Sequence, residues 1–371
     1  MKKICVVTSA RSEYGPIYWI LKALDHDPDL QLQLLVGGSH LVEQQGLTYK
    51  LIENDGFTID KKIDYLKSTE TSTGIIKSMG ICLEMIADAF DELNPDIILV
   101  VGDRYELLPI CTAALIKTIP IAHISGGDIT EGAIDNNVRN AITMMADIHF
   151  PGNADSAKNI ARMINSNKNI FNVGEPGLEN LEKNTLISRE ELAKSLGLNA
   201  NKDWYLCTLH SETRASIQQS MIMAHKFCEA LASKTDSEII ITYANADLGG
   251  SEMNEYYEDF CTKRKNFHIF KSLGQICYNS MMSECVCVVG NSSSGVFEAP
   301  FLGKPVVNIG NRQEGRYMSN CVINVPNYEH GEIITALEKA THGHYSRDFY
   351  YGDGKVSEAI IYHLKKYFKL Q

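Results

Sequence analysis

The chain alternates short apolar runs with amphipathic stretches along almost its whole length, and this alternation constrains the fold more than any other feature. Apolar runs cover residues 3–9, 30–36, 96–101 and 119–124, and helix-like patterns alternate with them along the chain. Continuous apolar runs are typical of strands buried on both faces of a parallel sheet. The sequence therefore predicts an α/β protein built from repeated strand–helix units.

The alternation begins again after the segment Gly174-Glu175-Pro176-Gly177. Glycine and proline disfavour helix and strand, so this segment is the best linker candidate. At about 100–200 residues per domain, the 371 residues are enough for two domains. We expect two Rossmann-like domains facing each other across a cleft. The first covers residues 1–175 and is joined by a C-terminal helix at 355–371, and the second covers 176–354.

The stretch at residues 286–300 is an apolar run that breaks at small, hydroxylated residues and then resumes at helical spacing. This pattern predicts a strand, a tight turn and a helix N-terminus, where backbone N–H groups can bind a phosphate. Glu298 lies in the first predicted helical turn, where it would repel a phosphate but accept hydroxyl groups such as those of a ribose. The alternative interpretation is an ordinary serine N-cap. The turn residues are Asn291, Ser292, Ser293, Ser294 and Gly295.

Other polar residues also follow predicted strands, at the edge where open α/β sheets bind ligands. The loop at 125–135 carries Asp128, Glu131 and Asp135. If the loop lines a cleft, like charges and partial burial would separate the pKa values of these carboxyls and give an acid and a base. A solvated acidic loop is the alternative. The further candidates are Arg11, Asp103, Arg139, His210, Arg312 and Arg316, with His40 and His123 as weaker ones.

The composition of the chain and the absence of several sequence motifs argue against some classes of function. A net charge of −11 without basic clusters argues against nucleic acid as a partner. The ten cysteines lack paired zinc-ligand spacing, and several lie in apolar runs, which fits a reducing cytoplasm. Neither a dinucleotide fingerprint nor a P-loop is present, and no histidine pair suits a metal, so we expect no cofactor and no metal. No apolar run approaches the ~20 residues of a membrane span.

Five segments together resemble the hydrolysing UDP-N-acetylglucosamine 2-epimerases, namely bacterial sialic-acid-pathway enzymes and the epimerase half of the animal bifunctional enzyme. The segments are Gly102-Asp103-Arg104, His123 to Asp128, Ile134 to Arg139, Gly290 to Gly295 and Gly310 to Gln313. The resemblance implies a glycosyltransferase-B-like fold. It also implies that UDP-GlcNAc and water give ManNAc and UDP, by anti elimination to 2-acetamidoglucal and then hydration, for sialic-acid-type or capsule sugars. A homodimer or homotetramer is implied as well.

The resemblance also implies residue roles. Asp103, Asp135 and the carboxylate loop match the positions of acid/base work at the sugar, and His210 matches a histidine that faces the diphosphate. Ser292, Ser293 and Arg312 match phosphate-binding residues, and Glu298 matches a ribose-binding glutamate. The remaining matches are Arg11 at the active site, Tyr278 stacking on uracil, and Asn245 with Asp247 in a loop near the nucleotide.

The chain departs from the family at one acid/base position. Animal members carry glutamate where this chain has Ser125, and we expect Glu131 to replace the lost carboxylate. Other functions stay open beside the main one. The alternative substrate is UDP-N,N′-diacetylbacillosamine, as in the legionaminic-acid pathway. The alternative functions are a UDP-sugar glycosyltransferase of the same fold and a non-catalytic UDP-sugar sensor.

Overall fold

The computed structural model of the protein describes residues 1–67, 71–130, 134–212, 215–245 and 247–370. Its strands are β1 (Lys2–Thr8), β2 (Leu30–Gly37), β3 (Lys61–Ile63), β4 (Ile97–Val101), β5 (Ile121–Ile124), β6 (Ile148–Phe150), β7 (Trp204–Thr208), β8 (Glu238–Thr242), β9 (Phe267–Phe270), β10 (Cys287–Gly290), β11 (Val306–Ile309) and β12 (Val322–Val325). Its helices are α1 (Arg11–His26), α2 (Tyr49–Asn54), α3 (Ser72–Leu93), α4 (Leu107–Ile116), α5 (Asp135–Met145), α6 (Ala154–Met163), α7 (Glu179–Lys183), α8 (Arg189–Leu196), α9 (Ile217–Leu231), α10 (Gly250–Thr262), α11 (Gln275–Glu284), α12 (Glu298–Phe301), α13 (His330–His342) and α14 (Val356–Tyr367).

The strands form two parallel six-stranded sheets. Sheet A has the order β3-β2-β1-β4-β5-β6, and sheet B has the order β12-β11-β10-β7-β8-β9. In both sheets the strand order reverses once, between β1 and β4 in sheet A and between β7 and β10 in sheet B. Open α/β sheets bind ligands outside the C-terminal ends of the strands at such a switch point.

The chain divides into two compact units, each with one sheet. Unit 1 comprises Met1–Ile129, Asp135–Glu182 and Tyr351–Gln371, and unit 2 comprises Thr130–Ile134 and Lys183–Tyr350. Unit 1 therefore continues past the expected boundary at residue 175. The reason is local: Asn180 donates to the carbonyl of Gly15 in α1, and Glu179 accepts hydrogen bonds from Ser357 at the start of α14.

Helices cover both faces of each sheet and build the hydrophobic cores. On one face of sheet A, Leu24 of α1 packs with Leu364 of α14, and on the other face Phe90 of α3 packs with Ile110 of α4. Sheet B is covered by α9, α10 and α13 on one face and by α8 and α11 on the other. The expected α/β class with two Rossmann-type sheets is confirmed.

The structure also contains two edge strands, β3 and β12, that the sequence pattern does not indicate. Each buries one side chain fully, Ile63 in β3 and Val325 in β12, so neither reads as a continuous apolar run. Ile170 forms an isolated parallel bridge with His149 at the end of the sheet-A strand order. Among the residues described, none of the helices has both the length and the apolar character needed to cross a bilayer.

Candidate active site

Asp103 follows β4 at the switch point of sheet A and is held by a buried arginine. Its carboxylate forms an ion pair with Nη2 of Arg139, whose side chain is 1% exposed. Nη1 of Arg139 also donates to the backbone carbonyl of Asp128 over 2.8 Å. Because a buried guanidinium requires such partners, Arg139 is suited to position the Asp103 carboxylate and the start of the acidic loop.

His123 and His40 are buried structural histidines on the same edge. The Nε2 of His123 lies 2.8 Å from the carbonyl oxygen of Gly102 and donates to it, which fixes the turn that carries Asp103. His40 bridges the hydroxyls of Thr8 and Thr48. Burial lowers the pKa of each histidine to about 4, so both rings are neutral near pH 7. Neither has the pKa of a proton carrier for that pH range.

Ser125 follows β5, next to the β4 end, and it contacts a glutamate that the sequence assigns to the linker. Its Oγ donates to Oε2 of Glu175 over 2.7 Å. The Glu175 residue is only 7% exposed. Sequence reasoning missed Glu175 because the contact spans 50 positions along the chain. The one sequence signal for this place is Ser125 itself, where the resemblance places a glutamate in the animal members.

Arg11 is the first residue of α1, directly after the β1 end. Its N-cap, Ala10, has no side chain that can accept the first N–H groups of the helix, and Glu13 in the first turn instead reaches back to the residues before it. The Oε2 of Glu13 accepts the N–H groups of Ser9 and Ala10, so it closes the turn that presents Arg11. Burial raises the pKa of Glu13 from 4.5 to about 7. Burial also lowers the pKa of Arg11.

His210 lies at the switch point of sheet B, two residues after β7, and its orientation is fixed from two sides. Its Nδ1 accepts the backbone N–H of Asn245 over 3.0 Å, which leaves the proton of the neutral ring on Nε2. Asn291 accepts the N–H of His210 at 2.7 Å and donates to its carbonyl at 2.9 Å. Burial, with a smaller effect of the Arg312 charge, lowers the pKa of His210 to about 3. The ring is therefore a neutral hydrogen-bond donor.

The serine turn connects β10 to α12, and glycine is needed at its entrance. Gly290 has φ of +136°, and a Cβ there would overlap the carbonyl oxygen of Thr208 in the neighbouring strand. The Oγ of Ser292 accepts the N–H of Ser294, and the Ser294 hydroxyl donates back to Ser292 over 3.0 Å. Ser293–Gly295 form one turn of 3₁₀ helix.

The helix expected after the serine turn is much shorter than the sequence pattern indicates. Only Glu298–Phe301 form α-helix, and Pro300 lies within this segment. The apolar spacing at Val296 and Phe297 satisfies packing without continuing a helix. A four-residue helix has a weak dipole, which contributes little to phosphate binding. The donors that remain are the serine hydroxyls and the N–H groups of the turn.

Tyr278 of α11 contacts the serine turn directly. Its hydroxyl lies 2.8 Å from Oγ of Ser294 and 3.3 Å from Oγ1 of Thr208. Burial raises the pKa of Tyr278, so the hydroxyl stays protonated. Tyr278 therefore braces the turn through its hydroxyl, while the stacking on uracil that the resemblance implies stays a prediction.

Glu298 is a carboxylate with one buried, unpaired oxygen. No hydrogen-bond partner is present for Oε2 within the described part of the chain. Burial raises the pKa of Glu298 to about 7, and the charge of Arg316 opposes the shift. A buried acceptor without a partner is costly, and the hydroxyl of a bound ligand would satisfy it. This geometry suits the ribose contact that the sequence suggests.

Arg312 completes the group on unit 2. Its Nη1 lies 3.4 Å from the carbonyl oxygen of Asn291, and its charge acts on His210. Asn245 follows β8 and donates to His210, while the carbonyl of Asp247 accepts the N–H of Gly250 at the start of α10. On this edge of sheet B the structure brings together His210, Arg312, Asn245, Tyr278, Ser292, Ser293, Ser294, Gly295 and Glu298.

The edge of sheet A carries a second, separate group of candidates in unit 1. Arg139 links Asp103 and Asp128 there, the Ser125–Glu175 pair follows the neighbouring strand β5, Arg11 opens α1 after β1, and Asp135 opens α5. Glu131, the expected replacement for the family glutamate, lies outside the described residues. Unit 1 thus supplies carboxylates, and unit 2 supplies hydrogen-bond donors and an arginine.

The chain matches a known protein family over most of its length. The model of the family described as UDP-N-acetylglucosamine 2-epimerase matches residues 22–365. The chain is 33% identical to the GDP/UDP-N,N′-diacetylbacillosamine 2-epimerase (hydrolyzing) of Campylobacter jejuni, over 91% of this chain and 87% of that one. It is 34% identical to the polysialic acid biosynthesis protein P7 of Escherichia coli, over 88% of this chain and 83% of that one.

Solved structures show the same fold. The UDP-GlcNAc 2-epimerase of Neisseria meningitidis, solved with bound UDP-GlcNAc, superimposes with a TM-score of 0.82 at 16% identity. The match covers 98% of this chain and 100% of that one. The expected glycosyltransferase-B-like fold is therefore confirmed.

Proposed function

We propose a function from the premise that this chain belongs to the UDP-N-acetylglucosamine 2-epimerase family. It is an enzyme that hydrolyses a nucleotide sugar and inverts C2. Its substrate is UDP-GlcNAc, and its products are ManNAc and UDP for sialic-acid-type or capsule sugar synthesis. The similarity to a polysialic acid biosynthesis protein supports this pathway.

The chemistry of the two sheet edges carries the proposal. Breaking the bond between C1 and UDP builds negative charge on the diphosphate, and the edge of sheet B supplies uncharged donors and one arginine for it. Each well-placed donor of this kind is worth about 3–4 kcal/mol in the transition state. Removing a proton from C2 and returning one requires carboxyl groups, and the edge of sheet A supplies them.

The reaction proceeds in two balanced steps. In the first, a carboxylate takes the proton from C2, the C2–H electron pair forms the C1=C2 double bond, and UDP leaves with the C1–O pair. In the second, a carboxylic acid protonates C2 from the opposite face, water adds its hydroxyl to C1, and the remaining proton of that water passes to solvent. Because no carbonyl acidifies the C2 proton, C1–O cleavage runs ahead of proton removal. The Asp103 carboxylate, held by Arg139, is suited to one of these proton transfers.

His210 acts as a hydrogen-bond donor to the diphosphate and not as the first proton acceptor. A pKa of about 3 keeps its ring neutral near pH 7. Nδ1 is occupied by the Asn245 N–H, so Nε2–H is the group that can donate to a phosphate oxygen. Ser293 and Arg312 bind the same diphosphate, and Glu298 binds the ribose.

UDP-N,N′-diacetylbacillosamine is the second candidate substrate, favoured by the similarity to the Campylobacter enzyme that acts on it by name. The two sugars differ at C4 and C6. Purified enzyme is therefore assayed with both UDP-sugars side by side and no acceptor, and UDP and the free sugar are quantified. ManNAc formed efficiently from UDP-GlcNAc supports the proposal. Turnover of only the diacetylbacillosamine sugar would replace it, and no free sugar from either would refute epimerase activity.

We further expect a homodimer or homotetramer in the cytoplasm. Support for self-association comes from α3 in unit 1, where Ile76 and Leu83 are 66% and 41% exposed. Gly80 and Ala87 continue the spacing of these residues, as in a helix seam. Light scattering tests this expectation: a wild-type oligomer that dissociates in Leu83→Glu supports the α3 face, and a wild-type monomer contradicts the expectation.

A further inference from the structure

Ser125 stands where the resemblance places a glutamate in the animal members, and its backbone fixes the place of that carboxylate. Its N–H donates to the carbonyl of Phe150, so Ser125 continues the ladder between β5 and β6. It is one of the non-glycine residues with positive φ, at +60°. Such a conformation costs about 1 kcal/mol or more and persists where the surrounding structure requires it.

Glu175 brings a carboxylate to this same place from a different part of the chain. Its Oε2 accepts the Ser125 hydroxyl over 2.7 Å. Its Oε1 lies against Gly152 in the turn after β6, where a Cβ would overlap the carboxylate. The backbone N–H of Glu175 donates to the carbonyl of Tyr351 over 2.8 Å. These contacts fix the position of the Glu175 carboxylate at the edge of sheet A.

The Glu175 carboxylate lies in the same row of strand ends as Asp103. Val101 of β4 pairs with Ile124 of β5, and Ile124 pairs with Phe150 of β6. Asp103 and Ser125 therefore follow strand ends that stand about 4.8 Å apart in the sheet. Burying a carboxylate is unfavourable unless it is hydrogen-bonded. A buried Glu175 therefore adds no stability to a segment whose only role is to connect the two units.

We propose that Glu175 supplies the acid/base carboxylate that the resemblance places at position 125 in the animal members, with Ser125 positioning it. This rests on the proposed function. In that reaction Glu175 exchanges a proton with C2 of the sugar: as carboxylate it takes the C2 proton while UDP departs, or as acid it gives C2 a proton while water adds to C1. Asp103 performs the opposite transfer on the other face. In this chain the carboxylate comes from the linker and not from the end of β5, and it lies at the same edge of sheet A.

Glu131 is the rival for this role, and the two are separated by parallel variants. Turnover and deuterium incorporation at C2 are measured for Glu175→Gln and Glu131→Gln with the UDP-sugar that the wild type converts. We expect kcat of Glu175→Gln to fall by a factor of about 100 or more, as for loss of an acid/base group. Its KM should change little. Near-normal kcat in Glu175→Gln with a large loss in Glu131→Gln would overturn the proposal.

A matched control and an exchange variant separate chemistry from folding. Glu179→Gln changes another buried glutamate of the same segment, which binds Ser357 and not Ser125. It should keep wild-type kcat. The double variant Ser125→Glu/Glu175→Ser returns the carboxylate to the β5 end, and we expect at least about tenfold higher kcat than in Glu175→Ser alone.

The exchange variant also decides if Glu175→Gln fails to fold. A folded, active exchange variant supports the proposal, because a structural role would not move with the carboxylate. An exchange variant no more active than Glu175→Ser, or an equal loss in Glu179→Gln, overturns it. Failure of the wild type to release any free sugar would instead refute the proposed function itself.

Discussion

Glu13 gives the most quantitative test of how unit 1 is built. Burial raises its pKa from 4.5 to about 7, so the folded state favours the protonated form. The stabilisation from this proton is complete below pH 4.5 and is lost as pH rises through about 7. A shift of about 2.5 pKa units corresponds to about 3 kcal/mol at 1.36 kcal/mol per unit. The variant Glu13→Gln keeps the shape and has no titrating group.

The difference in unfolding free energy between Glu13→Gln and the wild type is measured from pH 4.5 to 8. As pH rises over this range, we expect the unfolding free energy of the variant to increase by about 3 kcal/mol relative to that of the wild type. The other titrating groups are the same in both proteins, so their contributions cancel in the difference. Trp19 and Trp204 are the two tryptophans and lie in different units. Chemical unfolding is therefore followed by Trp19 fluorescence in a Trp204→Phe background, so that the signal reports on unit 1. A difference that does not change with pH would refute the assigned burial of Glu13.

Three further predictions concern the site. His210→Ala should lower kcat by about 10²–10³, because it removes a preorganised donor; steady-state kinetics near the wild-type rate would contradict its role. Ser293→Ala should weaken UDP binding by about 1 kcal/mol and Arg312→Ala by about 1.5–3 kcal/mol, and calorimetry that finds unchanged affinity in both would remove the phosphate assignment. Asp103→Asn should lower kcat by a factor of about 100 or more, and turnover that persists would place the proton transfers elsewhere.

Much of the fold follows from local pattern. Apolar runs predict the central strands because these strands are buried on both faces. The start of α8 also has a local sequence signal, which is the capping box of Ser188 and Glu191. The sequence pattern does not predict the edge strands β3 and β12, because a half-exposed strand lacks a continuous apolar run. The helix after the serine turn was overpredicted since the spacing of Val296 and Phe297 indicates burial but not hydrogen bonding.

Candidate site residues that directly follow strands are found from sequence, and those that depend on long-range contacts are not. His210 and Ser292 follow β7 and β10 and were expected at a sheet edge. The clamp of Asn291 on His210 joins residues 81 positions apart, and the Glu175 carboxylate reaches the end of β5 from a glycine- and proline-rich segment. No periodicity encodes such contacts.

The hydrogen at C2 of the product tests the central claim most directly. The wild-type enzyme is incubated in D₂O with the UDP-sugar that it converts, and the released sugar is analysed by NMR. The account predicts one deuterium at C2 of the inverted free sugar together with an equal amount of UDP. Inverted sugar that keeps the substrate's own hydrogen at C2 would contradict removal and return of that proton by the carboxylates of unit 1.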